Sequence, residues 1–212
     1  AAACIAGVMS LEDAVRLVAA RGRLMSALPH DGEMVSLQTD EARVRMALGP
    51  YAAEVSIAAV NGPASVVIAG RRESVQAVAE QFAAEGVKTQ RLVVSHAFHS
   101  PLMEPMLAAF REVAASVTYH KPALRLISNV TGKVAGDEIT KPEYWVRHVR
   151  NTVRFADGVA ALHAQGIGVF LEIGPKPVLL GMAGQIPAER EQPAMLPSLR
   201  AGQGAGQGDW QQ

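Results

Sequence analysis

Hydrophobic positions along the chain switch repeatedly between a helical and a strand period. Ser10 precedes Leu11, Val15, Leu17 and Val18, an apolar face that runs to about residue 25 before Pro29 ends it. Ser10, with Asp13 three residues on, matches a capping box in its weaker Asp form. Residues 34–37 alternate as a short strand, and Thr39 is placed to cap a helix through Val44 and Ala47 that stops at Gly49-Pro50. Residues 55–60 and 65–69 are β-rich runs joined by Asn61-Gly62-Pro63-Ala64, a hairpin signal. A helix from Arg72 presents Val75, Val78, Ala79 and Phe82 on one face, with Gly86 where a glycine C-terminal cap belongs, and residues 89–94 form a last strand. Over residues 31–98 the order is βαββαβ, the ferredoxin-like arrangement.

Beyond this unit, Ser100-Pro101 supplies an N-cap followed by proline at the first helical position. The helix is predicted to continue to about residue 115, tilted where Pro105 removes one backbone bond. Residues 124–128 are a predicted apolar strand ending in the turn Thr131-Gly132, and residues 142–148 and 154–165 are predicted helices. Residues 169–173 are a buried-type strand closed by Gly174-Pro175. Strands alternating with helices outside the small unit imply a mainly parallel α/β core into which that unit is inserted. The expected division is residues 1–30 with 99–199 for the core, 31–98 for the insert, and the Gly/Gln-rich residues 200–212 as linker.

Composition narrows the function classes. Lys plus Arg (20) offset Asp plus Glu (20), which argues against a nucleic-acid partner or an anionic membrane surface. Hydrophobic residues make up 49% and charged residues 19%, enough to bury a core, while no apolar run approaches the ~20 residues that span a bilayer. A cytoplasmic globular protein is expected. The single cysteine, Cys4, precludes an internal disulfide or a multi-cysteine zinc site and is read as a packing residue. The small-residue start at Ala1, without a targeting pattern, and the linker-like tail suggest a piece of a longer protein.

Candidate chemistry centres on Ser95-His96-Ala97-Phe98-His99-Ser100. A metal pair at His96 and His99 would need a third ligand that the sequence does not offer. His99 directly precedes the N-cap of a helix, whose positive end disfavours imidazolium and leaves a ring able to accept a proton. The competing reading is a solvated histidine at a strand end. Arg21, followed by Gly22, can approach a carboxylate with its planar fork, or is simply a surface helix charge like Arg16. Asn61 reads as a turn residue, which most often bonds its own backbone. No serine lies in a Gly-x-Ser-x-Gly elbow, and no glycine-rich phosphate loop opens a helix.

Five ordered stretches resemble the acyltransferase domain of modular polyketide synthases and the related malonyl-CoA:acyl-carrier-protein transacylases. They are Leu11 through Met25, Ala59-Val60-Asn61-Gly62-Pro63, His96-Ala97-Phe98-His99-Ser100-Pro101-Leu102-Met103, Tyr144-Trp145-Val146-Arg147-His148-Val149-Arg150 and Phe170-Leu171-Glu172-Ile173-Gly174-Pro175. The resemblance implies an α/β-hydrolase-like core, incomplete at its N-terminus, with an inserted ferredoxin-like subdomain. It implies that His99 is the base of a Ser–His pair, that Arg21 clamps the malonyl carboxylate, and that Asn61 lies near the active site. It also places at His148 a main-chain carbonyl that orients the catalytic imidazole. His96-Ala97-Phe98-His99 has the form of the specificity motif associated with malonyl units, where methylmalonyl-type domains usually carry Tyr-Ala-Ser-His.

By the family pattern the nucleophilic serine would precede Ala1, so the chain alone is expected to be inactive. The implied activity is transfer of malonyl from malonyl-CoA to the phosphopantetheine thiol of an acyl-carrier protein, beside ketosynthase and linker domains. It uses no metal or redox cofactor, and CoA enters as part of the substrate. The alternatives are a catalytically silent module that docks an acyl-carrier protein or braces a neighbouring domain, and a transferase for methylmalonyl or another extender.

Overall fold

A computed structural model describes residues 1–188 and 192–199, so the linker expected at 200–212 lies outside the described residues. Ala2–Ile5 make one helical turn, α1, and Ser10 opens α2 (Leu11–Ser26) by accepting the Asp13 amide at 3.0 Å, as the capping pattern predicts. The buried face of α2 is narrower than its apolar pattern. Leu17, Ala20 and Met25 are buried, whereas Leu11, Val15 and Val18 are exposed.

Next come β1 (Gly32–Leu37), α3 (Glu41–Ala47), a 3-10 turn at Gly49–Tyr51, β2 (Val55–Gly62), β3 (Ser65–Arg71), α4 (Arg72–Ala84) and β4 (Thr89–Arg91). The strands pair antiparallel in the order β2-β3-β1-β4. This is the βαββαβ arrangement read from the sequence, with β2–β3 closed as a hairpin after Asn61-Gly62. Two details differ. Asp40, not Thr39, caps α3, because Asp40 is the extended residue before Glu41 and its carboxylate accepts the Arg43 amide at 2.9 Å. The last strand stops at Arg91 instead of Val94, since Leu92 is the last residue to bond β1, donating to the Met34 carbonyl. Gly86 ends the turn after α4 at φ +80°, a conformation that favours glycine.

Both faces of this sheet are covered. Val35, Leu37, Ile57, Val66 and Ile68 pack under α3 and α4 with Val44, Val75, Val78 and Phe82. On the opposite face Met34, Ala58, Val67 and Ala69 meet Ala97, with Phe98 and Leu102 packed against them. The segment that carries His99 is therefore seated on the back of the sheet.

Ser100, itself fully buried, caps a 3-10 turn at Pro101–Met103 by accepting the Leu102 amide at 3.2 Å, and α5 (Glu104–Ala115) follows. Pro105 thus falls in the first turn of α5, where its missing N–H interrupts nothing, and the predicted tilt at Pro105 gives way to a short turn ahead of the helix. Residues 124–128 do not form the predicted strand. Ala123 donates to the Ala6 carbonyl at 2.7 Å and Ser128 to Lys133 at 2.8 Å, leaving only an isolated bridge between Ile127 and Val134. A large apolar cluster joins Val8, Leu17 and Met25 to Met103, Phe110, Ile139, Tyr144 and Val149.

α6 (Pro142–Arg150) and α7 (Phe155–Ala164) are followed by β5 (Val169–Glu172), α8 (Val178–Ala183) and β6 (Ala194–Pro197), with β5 and β6 parallel. β5 was expected to be buried, yet Val169 and Leu171 are exposed while Phe170 packs with Val159 and Ile186. Between α6 and α7 the chain runs along the edge strand β2. Val153 accepts from the Val60 amide at 2.9 Å and donates to Ala58 at 2.8 Å, and Thr152 donates to the Ile57 carbonyl at 2.6 Å. Arg154 closes the contact on Glu41 of α3, with Nη1 2.8 Å from each carboxylate oxygen. No helix among the described residues is long and apolar enough to cross a membrane.

Candidate active site

His99 has φ +58°, the only non-glycine residue among those described in the left-handed region. That backbone is uncommon outside glycine and is held only where the surroundings impose it. Behind His99, Ala97 is buried against the sheet and its carbonyl accepts Ser100 Oγ at 2.6 Å. Ahead of it, Ser100 starts the 3-10 turn. The ring reaches across to Asn151, donating from Nδ1 to the main-chain carbonyl at 2.8 Å. With Nδ1–H committed to a carbonyl, Nε2 is the nitrogen left to take up a proton.

The carbonyl partner corrects one expectation. His148 lies inside α6, whereas Asn151 is the residue just after the helix, extended at φ −83° and ψ 159°, so its carbonyl is turned out of the helical ladder. The carbonyl that orients His99 is Asn151, and the part of His148 that reaches the site is its ring. His148 and Arg21 line a cavity of about 310 Å³ whose other walls include Cys4, Phe110, Tyr144 and Trp145.

Electrostatics bind Arg21, His99 and His148 together. His99 is held down to about 4, first by burial and then by the charge of Arg21, with the Asn151 carbonyl opposing. His148 is likewise held down to about 4 by burial, Arg21 and His99. Both rings are neutral near pH 7, so His99 can act as a proton acceptor. Burial also lowers Arg21, yet the guanidinium keeps its charge, and among the described residues no carboxylate stands within ion-pair distance of it. A desolvated cation without a counter-charge on a cavity wall has the chemistry to receive an anion.

His99 is not itself among the residues that line that cavity, though it is coupled to Arg21 and His148 by charge; the remaining candidates lie elsewhere. His96 is 5% exposed and donates from Nε2 to the Leu28 carbonyl at 3.2 Å; neither its ring nor that of Phe98 lines the cavity. Phe98 is half-buried between the cluster behind the sheet and the large cluster. Asn61 is half-buried near the hairpin end of β2, away from the cavity lining. Cys4, read as packing, is half-buried on the cavity wall. Sequence reasoning missed the Asn151 carbonyl and the rings of His148 and Trp145. The signal for the two rings was the strong amphipathy of residues 142–150, which aligns Tyr144, Trp145 and His148 on neighbouring faces, while nothing local pointed to the Asn151 carbonyl.

The acyl transferase domain family matches residues 1–207. Polyketide synthase GfsA of Streptomyces halstedii is 51% identical over 205 residues, covering 95% of this chain and 3% of that protein. Mycoketide-CoA synthase of Mycobacterium tuberculosis is 55% identical over 174 residues, 82% of this chain and 4% of that protein. Among solved structures, the acyltransferase domain from the second module of the salinomycin polyketide synthase superposes with a TM-score of 0.90 at 50% identity, over 94% of this chain and 47% of that one. Malonyl-CoA:acyl carrier protein transacylase (FabD) from Xanthomonas oryzae gives a TM-score of 0.83 at 29% identity, over 93% of this chain and 64% of that one. The chain spans a few per cent of the length of the synthases it matches and about half of the salinomycin acyltransferase chain. With a family match across nearly its whole length and relatives that are polyketide synthases, the chain belongs to the acyl transferase domain family.

Proposed function

We propose that this chain supplies the base and the carboxylate clamp of an acyltransferase that moves malonyl from malonyl-CoA to the phosphopantetheine thiol of an acyl-carrier protein. The observation that carries the reading is the buried Arg21 guanidinium on the cavity wall, with no carboxylate among the described residues in ion-pair distance, whose charge is felt at His99, a neutral ring fixed by Asn151. A malonyl thioester needs both: a cation for its free carboxylate and a neutral base for the attacking hydroxyl. The FabD neighbour, a malonyl transacylase by description, supports the substrate class.

The nucleophile is a serine in an elbow that residues 1–212 do not contain. Its Oγ–H gives the proton to His99 Nε2 as the new C–O bond forms at the thioester carbonyl, and the C–S bond breaks with that proton passing to the CoA sulfur. The carrier thiol reverses the sequence on the acyl-serine. His99 is oriented for both halves by Asn151, since a fixed Nδ1–H holds one tautomer. In the same reading, residues 31–98 are the ferredoxin-like insert, as the order β2-β3-β1-β4 supports, and β5-α8-β6 belongs to an α/β-hydrolase-like core. The form of His96-Ala97-Phe98-His99 supports malonyl over methylmalonyl, an effect that Phe98 would exert through its packing, since its ring does not line the cavity.

The test is Arg21→Ala in the complete acyl transferase domain, assayed with malonyl-CoA and acetyl-CoA. Loss of a desolvated charge pair costs about 2–4 kcal/mol, so malonyl transfer should fall roughly 30- to 1,000-fold while acetyl transfer changes little. Equal losses on both substrates would make Arg21 a structural residue and overturn the malonyl reading.

A further inference from the structure

The chain enters the four-stranded sheet through residues 27–31 and leaves it through residues 92–98, and these two crossings are tied to each other. His30 donates from Nδ1 to the Ser95 carbonyl at 3.0 Å, and His96 donates from Nε2 to the Leu28 carbonyl at 3.2 Å. Both acceptors are carbonyls, so each of these ring nitrogens carries a hydrogen. The two rings lie against each other with centroids 4.3 Å apart and their planes tilted by 35°. One step further, a Cβ on Gly32 would stand 2.6 Å from the Ala97 Cβ and 2.7 Å from Leu102 Cδ1, so the strands of the crossing touch backbone to side chain. Arg72 at the start of α4 fixes the outer side by donating to the His30 carbonyl at 3.0 Å.

We propose that His30 and His96 form a clasp that positions His99 against Arg21. α2 carries Arg21 and leads directly into Leu28 and His30; the other crossing ends, three residues after His96, in His99. Joining the two crossings sets the separation of the anion clamp and the base, which no bond within either segment controls. His96 then influences transfer through Leu28 and His30 and not by facing the acyl group, in keeping with its burial and the bond of its Nε2 to the Leu28 carbonyl. His30 and His96 are positioning residues in this scheme, which rests on the acyl-transfer reading above.

The hydrogen-bond geometry supplies a test that a general loss of stability would not reproduce. A glutamine amide nitrogen reaches the place of a histidine Nε2, and an asparagine amide nitrogen the place of Nδ1. In the complete acyl transferase domain, His30→Ala and His96→Ala should each lower kcat about 10- to 100-fold with KM for malonyl-CoA within about threefold. His96→Gln and His30→Asn should recover most of the rate, whereas His96→Asn and His30→Gln should not. Hydrogen exchange followed by mass spectrometry on the same proteins should show faster exchange over residues 92–103 in the alanine variants and unchanged exchange over residues 66–84. Parental kcat in His30→Ala, rescue that ignores the choice of amide, or unaltered protection at residues 92–103 would each overturn the clasp. If the parent itself transfers no acyl group, the functional reading fails, and the exchange measurement still decides whether the two crossings are joined through these rings.

Discussion

Acidification should destabilise this domain through two histidines, because His99 and His148 are held neutral when folded. Burial is the larger cause at each ring, the Arg21 charge adds to it, and both fall from 6.5 to about 4. In the unfolded chain each returns to about 6.5. Between those values the unfolded state binds more protons than the folded state, so the contribution is complete above about pH 6.5 and is lost progressively down to about pH 4. One group shifted this far is worth about 3 kcal/mol, and since the two rings share a repulsion, the joint loss lies between about 3 and 6 kcal/mol. That is a large fraction of the ~5–15 kcal/mol that stabilises an ordinary domain. Urea unfolding of the complete acyl transferase domain between about pH 7.5 and about pH 4.5 measures it, with the His99→Gln/His148→Gln double variant as reference. Other groups titrate alike in both proteins and cancel. Glu41 is one: burial pushes it up, but its bonds to Arg154 and Arg45 outweigh that and hold it low. Parallel loss of stability in parent and double variant would refute the claim that these rings are neutral in the fold.

Further expectations concern activity. Purified residues 1–212 incubated with radiolabelled malonyl-CoA should take up no covalent label, and stable labelling would mean that a nucleophile lies within the chain. His99→Ala in the complete domain should lower the acylation rate by ~10²–10⁴ in a protein that still folds, as circular dichroism would show. The acidic limb of the rate profile should lie near pH 4, and Arg21→Gln should move it upward yet keep it below 6.5, since burial remains the larger cause. Phe98→Ser should relax selectivity toward methylmalonyl-CoA by no more than ~1–3 kcal/mol in a competition assay. Because Phe98 also packs between two apolar clusters, thermal melting run alongside separates altered choice from simple loss of packing.

Local signals in the sequence carried well where a residue acts on its own neighbours. Ser10, the Asn61-Gly62 hairpin, Gly86 and the cap at Ser100 all do what their positions announce, because capping and turn chemistry reach only three or four residues. The apolar run at residues 124–128 misled, since Ala123 just before it is tied to Ala6, Ser128 donates to Lys133 and Leu126 accepts from Ala135, a local pairing in place of a sheet. The site was legible as residue types and illegible as geometry. Arg21 and His99 stood out, and the resemblance gave their roles, but which carbonyl holds His99 depends on Asn151 leaving the helix in an extended conformation three residues past His148. Nor does any local pattern announce His30 against His96, a contact between positions 66 apart in the chain.

The lacing of residues 150–154 along β2 turns the small sheet into a ruler for the base. Val153 adds two backbone bonds that any sequence could make, while Arg150 reaches Ser56 Oγ at 3.2 Å, Thr152 bonds Ile57, and Arg154 clamps Glu41. Asn151, the anchor of His99, sits in the middle of that strip. Sliding the strip against β2 would carry the anchor with it, although no residue of β2 lines the cavity. Chimeras that exchange residues 31–98 between relatives should therefore succeed or fail on whether Glu41 and Ser56 find matching partners at Arg154 and Arg150. An exchange that also carries residues 150–154 keeps graduation and pointer together.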